Sequence, residues 1–281
     1  MNAIELKNVT FTYSKHIPGA VPALNDVSIE VESGGITGLI GHTGSGKSTL
    51  VQMLNGLLKP DSGTVFLDGI DIWAEPKKIR EVRFKAGLVM QYPEYQLFAE
   101  TVAEDIGFGP KNMGLEGDEL DKRVREAARF SGLTEDLLEK SPFDLSGGQK
   151  RRVALAGVIA MNPKILILDE PAAGLDPAGR RDILGGVKRF SRESGTTVLI
   201  VSHSMEDMAM YCDDVIVMAN AKILMHRPTA EVFSRAEELA AVGLDVPLIT
   251  RTAAALRQYG VDIGLDVYTV DYAVEKIQEQ L

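Results

Sequence analysis

The chain has 281 residues, enough for one large domain or for a domain with a smaller appendage. Forty acidic residues against thirty basic ones leave a formal charge of −10, which argues against a surface built for a nucleic-acid backbone. Cys212 is the only cysteine, so no internal disulfide and no cysteine zinc cluster can form, and a reducing compartment is expected.

The first residues, Met1 to Asn8, lack the basic and then apolar profile of a signal peptide, so no leader is expected. Ile4 to Tyr13 and Val27 to Val31 alternate apolar and polar residues and read as strands with one covered face, separated by a loop at Pro18, Gly19 and Pro22. Tyr13 stands at the loop, where its ring could stack on a purine; a boundary tyrosine with its hydroxyl in water is the competing reading.

Residues 34 to 50 place an apolar run before a glycine-rich loop and a helix start. Gly41, His42, Thr43, Gly44, Ser45, Gly46, Lys47 and Ser48 satisfy the complete P-loop pattern, in which bare backbone N–H groups wrap the phosphates of a nucleotide. The helix predicted to begin near Lys47 aims its unpaired N–H groups at the same phosphates. Lys47 is placed to reach the β- and γ-phosphates, Ser48 to offer its hydroxyl to Mg²⁺, and Thr49 to meet the α-phosphate.

Beyond that helix, Gly56 to Gly63 is a turn cluster, Thr64 to Gly69 a short strand, and Phe84 to Met90 another strand ending at Gln91. Tyr92 to Phe98 is rich in rings and amides for a surface connection. From about Thr101 to Met161 the pattern is helical, Asp118 to Ser131 being its clearest amphipathic piece. Its densest apolar stretch, Val153 to Met161, is far short of the roughly twenty residues a membrane helix needs.

Leu145-Ser-Gly-Gly-Gln149 then sets a capping serine, Ser146, before two glycines, Gly147 and Gly148, and so offers a second anion cradle. A helix cap without a ligand is the plainer reading. Lys164 to Asp169 is an apolar strand ending in two carboxylates, Asp169 and Glu170, and Thr196 to Ser202 is another ending in His203. Continuous apolar runs separated by helices indicate parallel strands covered on both faces, with ligands at their carboxyl ends. Two more strands follow over residues 214 to 226, a short helix over Thr229 to Arg235, and a folded tail from Ala236 to Leu281.

Hydrolysis of a γ-phosphate needs the phosphates held, their charge neutralised and a water aimed in line. Asp169 is suited to orient Mg²⁺ with Ser48, Glu170 to take a proton from the attacking water, and Gln91 and His203 to bond the γ-phosphate or that water. Each is alone an ordinary strand-end residue. Their joint presence with a P-loop turns the reading towards catalysis.

With Leu145 to Gln149 the chain resembles an ATP-binding cassette ATPase, and the likeness covers roughly residues 3 to 235. The resemblance implies an α/β P-loop NTPase, a RecA-like mostly parallel sheet with an antiparallel β-subdomain, a helical subdomain at about 92–161 and a C-terminal extension at 236–281. It also implies two composite sites in a head-to-tail dimer, in which Ser146, Gly147, Gly148 and Gln149 contact ATP held by the P-loop of the other subunit. On it, Tyr13 resembles the adenine-stacking aromatic, Gln91 the Q-loop glutamine and a magnesium ligand, Asp169 the metal-orienting aspartate and Glu170 the base. Ala173 to Asp176 looks like the loop linking the two sites, and His203 like the switch histidine.

The wording of residues 41–49, 91–98, 145–152 and 246–250 is similar to the energy-coupling factor ATPases of vitamin and metal-ion importers, and Tyr92 to Tyr95 resembles the second of their two paralogues. That family implies a paralogous ATPase or a second copy as partner, a transmembrane coupling (T) protein, a membrane substrate-binding (S) protein and a peripheral position at the cytoplasmic membrane face. Glu94 is then a candidate to meet an arginine of the coupling protein, a solvated glutamate being the competing reading. The rival reading is a soluble cassette ATPase of DNA repair, translation or cofactor assembly, which usually carries a long coiled coil or two cassettes, and this chain has neither.

Overall fold

The computed structural model describes residues 1–264 and 266–279. The chain opens with β1 (Asn2–Phe11), β2 (Leu24–Glu32), β3 (Ile36–Gly41), α1 (Lys47–Leu54), β4 (Ser62–Leu67), β5 (Ile70–Asp71), α2 (Ile79–Lys85) and β6 (Ala86–Val89). A helical stretch of α3 (Val102–Asn112), α4 (Gly117–Phe130) and α5 (Gly147–Ile159) follows. Then come β7 (Ile165–Asp169), α6 (Pro177–Ser194), β8 (Thr197–Val201), α7 (Met205–Tyr211), β9 (Asp214–Ala219), β10 (Lys222–Pro228) and α8 (Thr229–Phe233). The tail holds α9 (Ala236–Ala241), α10 (Leu248–Gln258) and α11 (Val270–Gln278).

A four-stranded antiparallel sheet in the order β2-β1-β4-β5 packs over a six-stranded sheet in the order β10-β9-β3-β8-β7-β6, which is parallel except for β10, antiparallel to β9 at one edge. The period of two along each central strand divides its side chains between two cores. Ile165, Ile167, Leu199 and Ile216 face α1 and the antiparallel sheet, while Leu166, Leu168, Ile200 and Val217 face the helical layer. A strand buried on both faces must be apolar throughout, which is why β7 and β8 read as unbroken runs.

Register then fixes the site. Leu168 pairs with Val89 on one side and Ile200 on the other, Asp169 pairs with Val201, and Leu39 also pairs with Val201. The carboxyl ends of β3, β6, β7 and β8 therefore finish at one edge, and the loops that leave them start as neighbours.

Two expectations are revised. The strand read from Phe84 begins only at Ala86, because Phe84 and Lys85 close α2, where the Arg80 guanidinium lies 5.6 Å from the Phe84 ring at a helical i,i+4 spacing. β1 ends at Phe11, which leaves Tyr13 in the following loop. The tail carries a small core of its own, Ala253, Ile263, Val267 and Ala273. Among the described residues no helix is long and apolar enough to cross a membrane.

Ile167 is fully buried between the two sheets. Ile167→Ala is expected to destabilise the protein by about 2–5 kcal/mol, to be read from chemical denaturation.

Candidate active site

The loop from Gly41 to Ser48 is shaped by steric demand. Gly46 has φ +108°, and a Cβ there would stand 2.4 Å from the carbonyl oxygen of Ala23. At Gly41 a Cβ would meet the Met218 carbonyl oxygen at 2.5 Å. No larger residue fits either place. Gly46 is also the N-cap of α1 and brings no capping side chain, so the first N–H groups of that helix are left for a ligand.

A cavity of about 450 Å³ opens over this loop, lined by Tyr13, Thr43, Gly44, Gly46, Lys47, Ser48, Thr49, Gln91, Asp169, Glu170 and His203. Five separate strand ends, those of β1, β3, β6, β7 and β8, thus deliver their predicted residues to one place. The Tyr13 hydroxyl lies 3.2 Å from Thr49 Oγ1, and its ring meets Phe11 edge-on, so one face of the phenol stays available for stacking. His42 Nδ1 lies 2.8 Å from the Thr43 carbonyl oxygen, outside the cavity lining. Ser45 is buried within the loop, and its hydroxyl has no hydrogen-bond partner.

Lys47 is nearly buried and folds back on its own loop, its Nζ donating to the carbonyl oxygens of Gly41 at 2.6 Å and His42 at 3.1 Å. Burial lowers its affinity for a proton, while the carboxylates of Glu170 and Asp169 pull it back up. Burial likewise pushes Asp169 up against the opposing pull of Lys47. Glu170 is raised to about 7 by burial and by the neighbouring Asp169, with Lys47 opposing. Its Oε1 is buried without a hydrogen bond, 3.5 Å from His203 Nε2, and His203 is held below its ordinary value by burial and by Lys47. Glu170 also sits at φ +52°, a strained backbone for a non-glycine residue, where its N–H donates to the Val201 carbonyl.

The side-chain oxygens of Ser48, Gln91 and Asp169 fit a hard divalent cation, and Glu170 Oε1, which has no hydrogen bond and belongs to a cavity-lining residue, is the kind of atom that the water around a nucleotide would satisfy.

The second glycine loop stands elsewhere. Ser146 caps α5 through a complete capping box, accepting from Gln149 N at 3.3 Å while Gln149 Oε1 accepts from Ser146 N at 3.0 Å. It lines a different cavity, of about 750 Å³, with Gly148, Gln149, Gly174, Leu175 and Asp176. Asp176 is the N-cap of α6, its carboxylate accepting from Gly179 N at 2.7 Å. A single chain therefore keeps its P-loop and its Ser146 loop in separate clefts.

A model of the ABC transporter family matches residues 24–173. The chain is 50% identical to the energy-coupling factor transporter ATP-binding protein EcfA2 of Clostridium acetobutylicum over 275 residues, which cover 98% of this chain and 96% of that protein. It belongs to the ABC transporter ATPases. Within them it groups with the energy-coupling factor ATP-binding subunits, and it is an ATPase coupled to transport. Of the solved structures, cbiO1 of Clostridium perfringens, part of the ABC transporter complex cbiONQ, superposes with TM-score 0.76 at 38% identity, covering 86% of this chain and 94% of that one. A dimeric post-hydrolysis state of the cassette MJ0796 bound to ADP and Pi gives 0.72 at 29% identity, covering 80% and 98%.

The structure sets aside a solvated Glu94, and sequence reasoning missed its partner within the chain. Arg151 donates from Nη2 to Glu94 Oε1 at 2.8 Å and from Nε to Oε2 at 3.1 Å, so this carboxylate is already paired within the chain. Burial tends to raise Glu94, but the bonds from Arg151 hold it below its usual range. In sequence, nothing local links Lys150-Arg-Arg152 to a glutamate 57 positions away.

Because Glu170 has a native value near 7 against an ordinary 4.5, ionising it costs the folded state, and that cost appears as pH rises through this window. Glu170→Gln should therefore match the parent in thermal midpoint near pH 4, gain on it as pH rises from about 4.5 to about 7, and hold a level advantage above that, as calorimetry at several pH values will show.

Proposed function

We propose that the chain is the ATP-hydrolysing subunit of an energy-coupling factor importer for a vitamin or a metal ion, working peripherally at the cytoplasmic face of the membrane. The observation that carries the reading is the division of glycine loops between two clefts, for each cleft holds only half of what a buried triphosphate needs. Residues 1–235 act as the nucleotide-binding domain, with a helical subdomain at about 92–161, and 236–281 as an extension. The second ATPase, a paralogue or another copy, lends its Ser146-type loop and its Asp176-type residue to the P-loop of the first. A transmembrane T protein and a membrane S protein complete the assembly.

In the closed pair, the backbone of residues 43–48 and the start of α1 hold the phosphates, Lys47 exchanges its loop carbonyls for phosphate oxygens, and Tyr13 stacks on the base. Ser48, Asp169 and Gln91 are the residues that would hold Mg²⁺, which when bound neutralises charge on the β- and γ-phosphates. Glu170 accepts the proton of the attacking water, and His203 and Gln91 fix that water and the γ-phosphate. A raised carboxyl group near neutrality suits this task, since it can both take and release a proton at working pH.

Two outcomes are expected. In the assembled complex, Glu170→Gln lowers phosphate release about a hundredfold or more while ATP remains bound, and near-normal release would remove Glu170 as the base. Detergent extraction from membranes recovers the chain with a second ATPase and two integral membrane chains; recovery only from the soluble fraction would favour the rival cassette ATPase.

A further inference from the structure

We propose that Arg151 is a positioning residue for hydrolysis, a clasp that ties the 3-10 turn Pro93–Gln96 to the turn that follows Glu170. The assignment rests on the ATPase reading above. It starts from burial: the Arg151 side chain is 6% exposed and the Glu94 side chain 17% exposed, against 22% to 68% for the arginine and lysine side chains of the other ion pairs described. Its guanidinium is divided between two acceptors. One edge grips both oxygens of Glu94, and Nη1 donates to the carbonyl oxygen of Ala173. A planar fork with five donors can do this, whereas a lysine ammonium has no second edge.

Both ends of the clasp lie within a few residues of the reaction. Ala173 N–H donates to the Glu170 carbonyl at 3.2 Å, so the residue whose C=O Arg151 holds also closes the turn that keeps Glu170 at φ +52°. Glu94 follows Tyr92, itself at φ +55° and directly after Gln91. Two strained corners, each carrying a residue aimed at the P-loop cleft, are thus braced against one buried cation on α5. A strained conformation persists only where its surroundings over-determine it, and Arg151 is the shared part of those surroundings. Position errors of an ångström at a general base cost large factors in rate without weakening substrate binding, so the clasp should act on kcat and not on KM. Arg151 touches neither the P-loop nor the cavity above it.

The test uses the ATPase purified with its partner chains, in wild-type form and as Glu94→Gln, Arg151→Lys, Arg151→Met and the double variant Glu94→Gln/Arg151→Met. Steady-state phosphate release gives kcat and KM for ATP, and amide hydrogen exchange reports on residues 171–176. Glu94→Gln, nearly isosteric and at the rim, should lower kcat threefold or more and Arg151→Met tenfold or more, both with KM within twofold, and exchange over 171–176 should quicken. Arg151→Lys should fall between wild type and Arg151→Met, and the double variant should be no slower than Arg151→Met alone, since both changes open one clasp. A kcat for Glu94→Gln within threefold of wild type, a KM that rises in step with the loss of rate, unchanged exchange, or losses that multiply in the double variant would each overturn the assignment. Should Arg151→Met fail to assemble, Glu94→Gln and Arg151→Lys decide on the same readouts. A wild-type complex that released no phosphate would instead remove the ATPase reading, and the clasp with it.

Discussion

Three charges packed out of water beside one another, Lys47, Asp169 and Glu170, are the constraint to which the rest of the structure answers. Burial displaces each from its ordinary proton affinity; Asp169 adds to the rise of Glu170, while the attraction between Lys47 and the two carboxylates opposes the shift of all three. Such a group of charges is tolerable only if the scaffold under it cannot give way. The central sheet supplies the rigidity: β3, β7 and β8 are paired in register and buried on both faces, so the ends from which these residues project are held by two cores at once. Glu170 Oε1, at the edge of the cavity, makes no hydrogen bond within the chain.

The second glycine loop is arranged differently. Ser146 and Gln149 satisfy each other's backbone groups, so the loop is a stiff helix start and not a flexible hairpin. Asp176 plays the same part for α6. Preformed geometry lowers the ordering cost of meeting a phosphate presented by another subunit. Arg180 extends this bracing, with Nη1 donating to Ser204 Oγ at 3.3 Å and lying 3.4 Å from the buried Asp207, next to the loop that carries His203. The loop of residues 173–176 is therefore held on both sides, at Ala173 by Arg151 and beyond Asp176 by Arg180.

Much of the fold was legible in the sequence because its signals are local. The period of two in β1 and β2, the unbroken apolar runs of β7 and β8, and the glycine spacing of residues 41–48 each follow from steric or hydrophobic demands within a few residues. The strand at Phe84 was over-extended for the converse reason: an apolar run carries no mark of where a helix ends and a strand starts, and pairing of Ala86 with Ile165 decided it. Arg151 was missed as the partner of Glu94 because a lone acidic residue in a surface connection says nothing about a cation 57 positions away.

By itself the sequence determined the P-loop, the carboxylates at the end of an apolar strand and the second glycine cradle, since each is a contiguous pattern whose chemistry depends on neighbours along the chain. Only the tertiary structure decided that Tyr13, Gln91, Asp169, Glu170 and His203 share one cavity, that Ser146 and Asp176 face another, and that Arg151 fastens two strained corners together. Strand register and burial brought these residues together across separations of tens to more than a hundred positions, and no local preference in the chain encodes either.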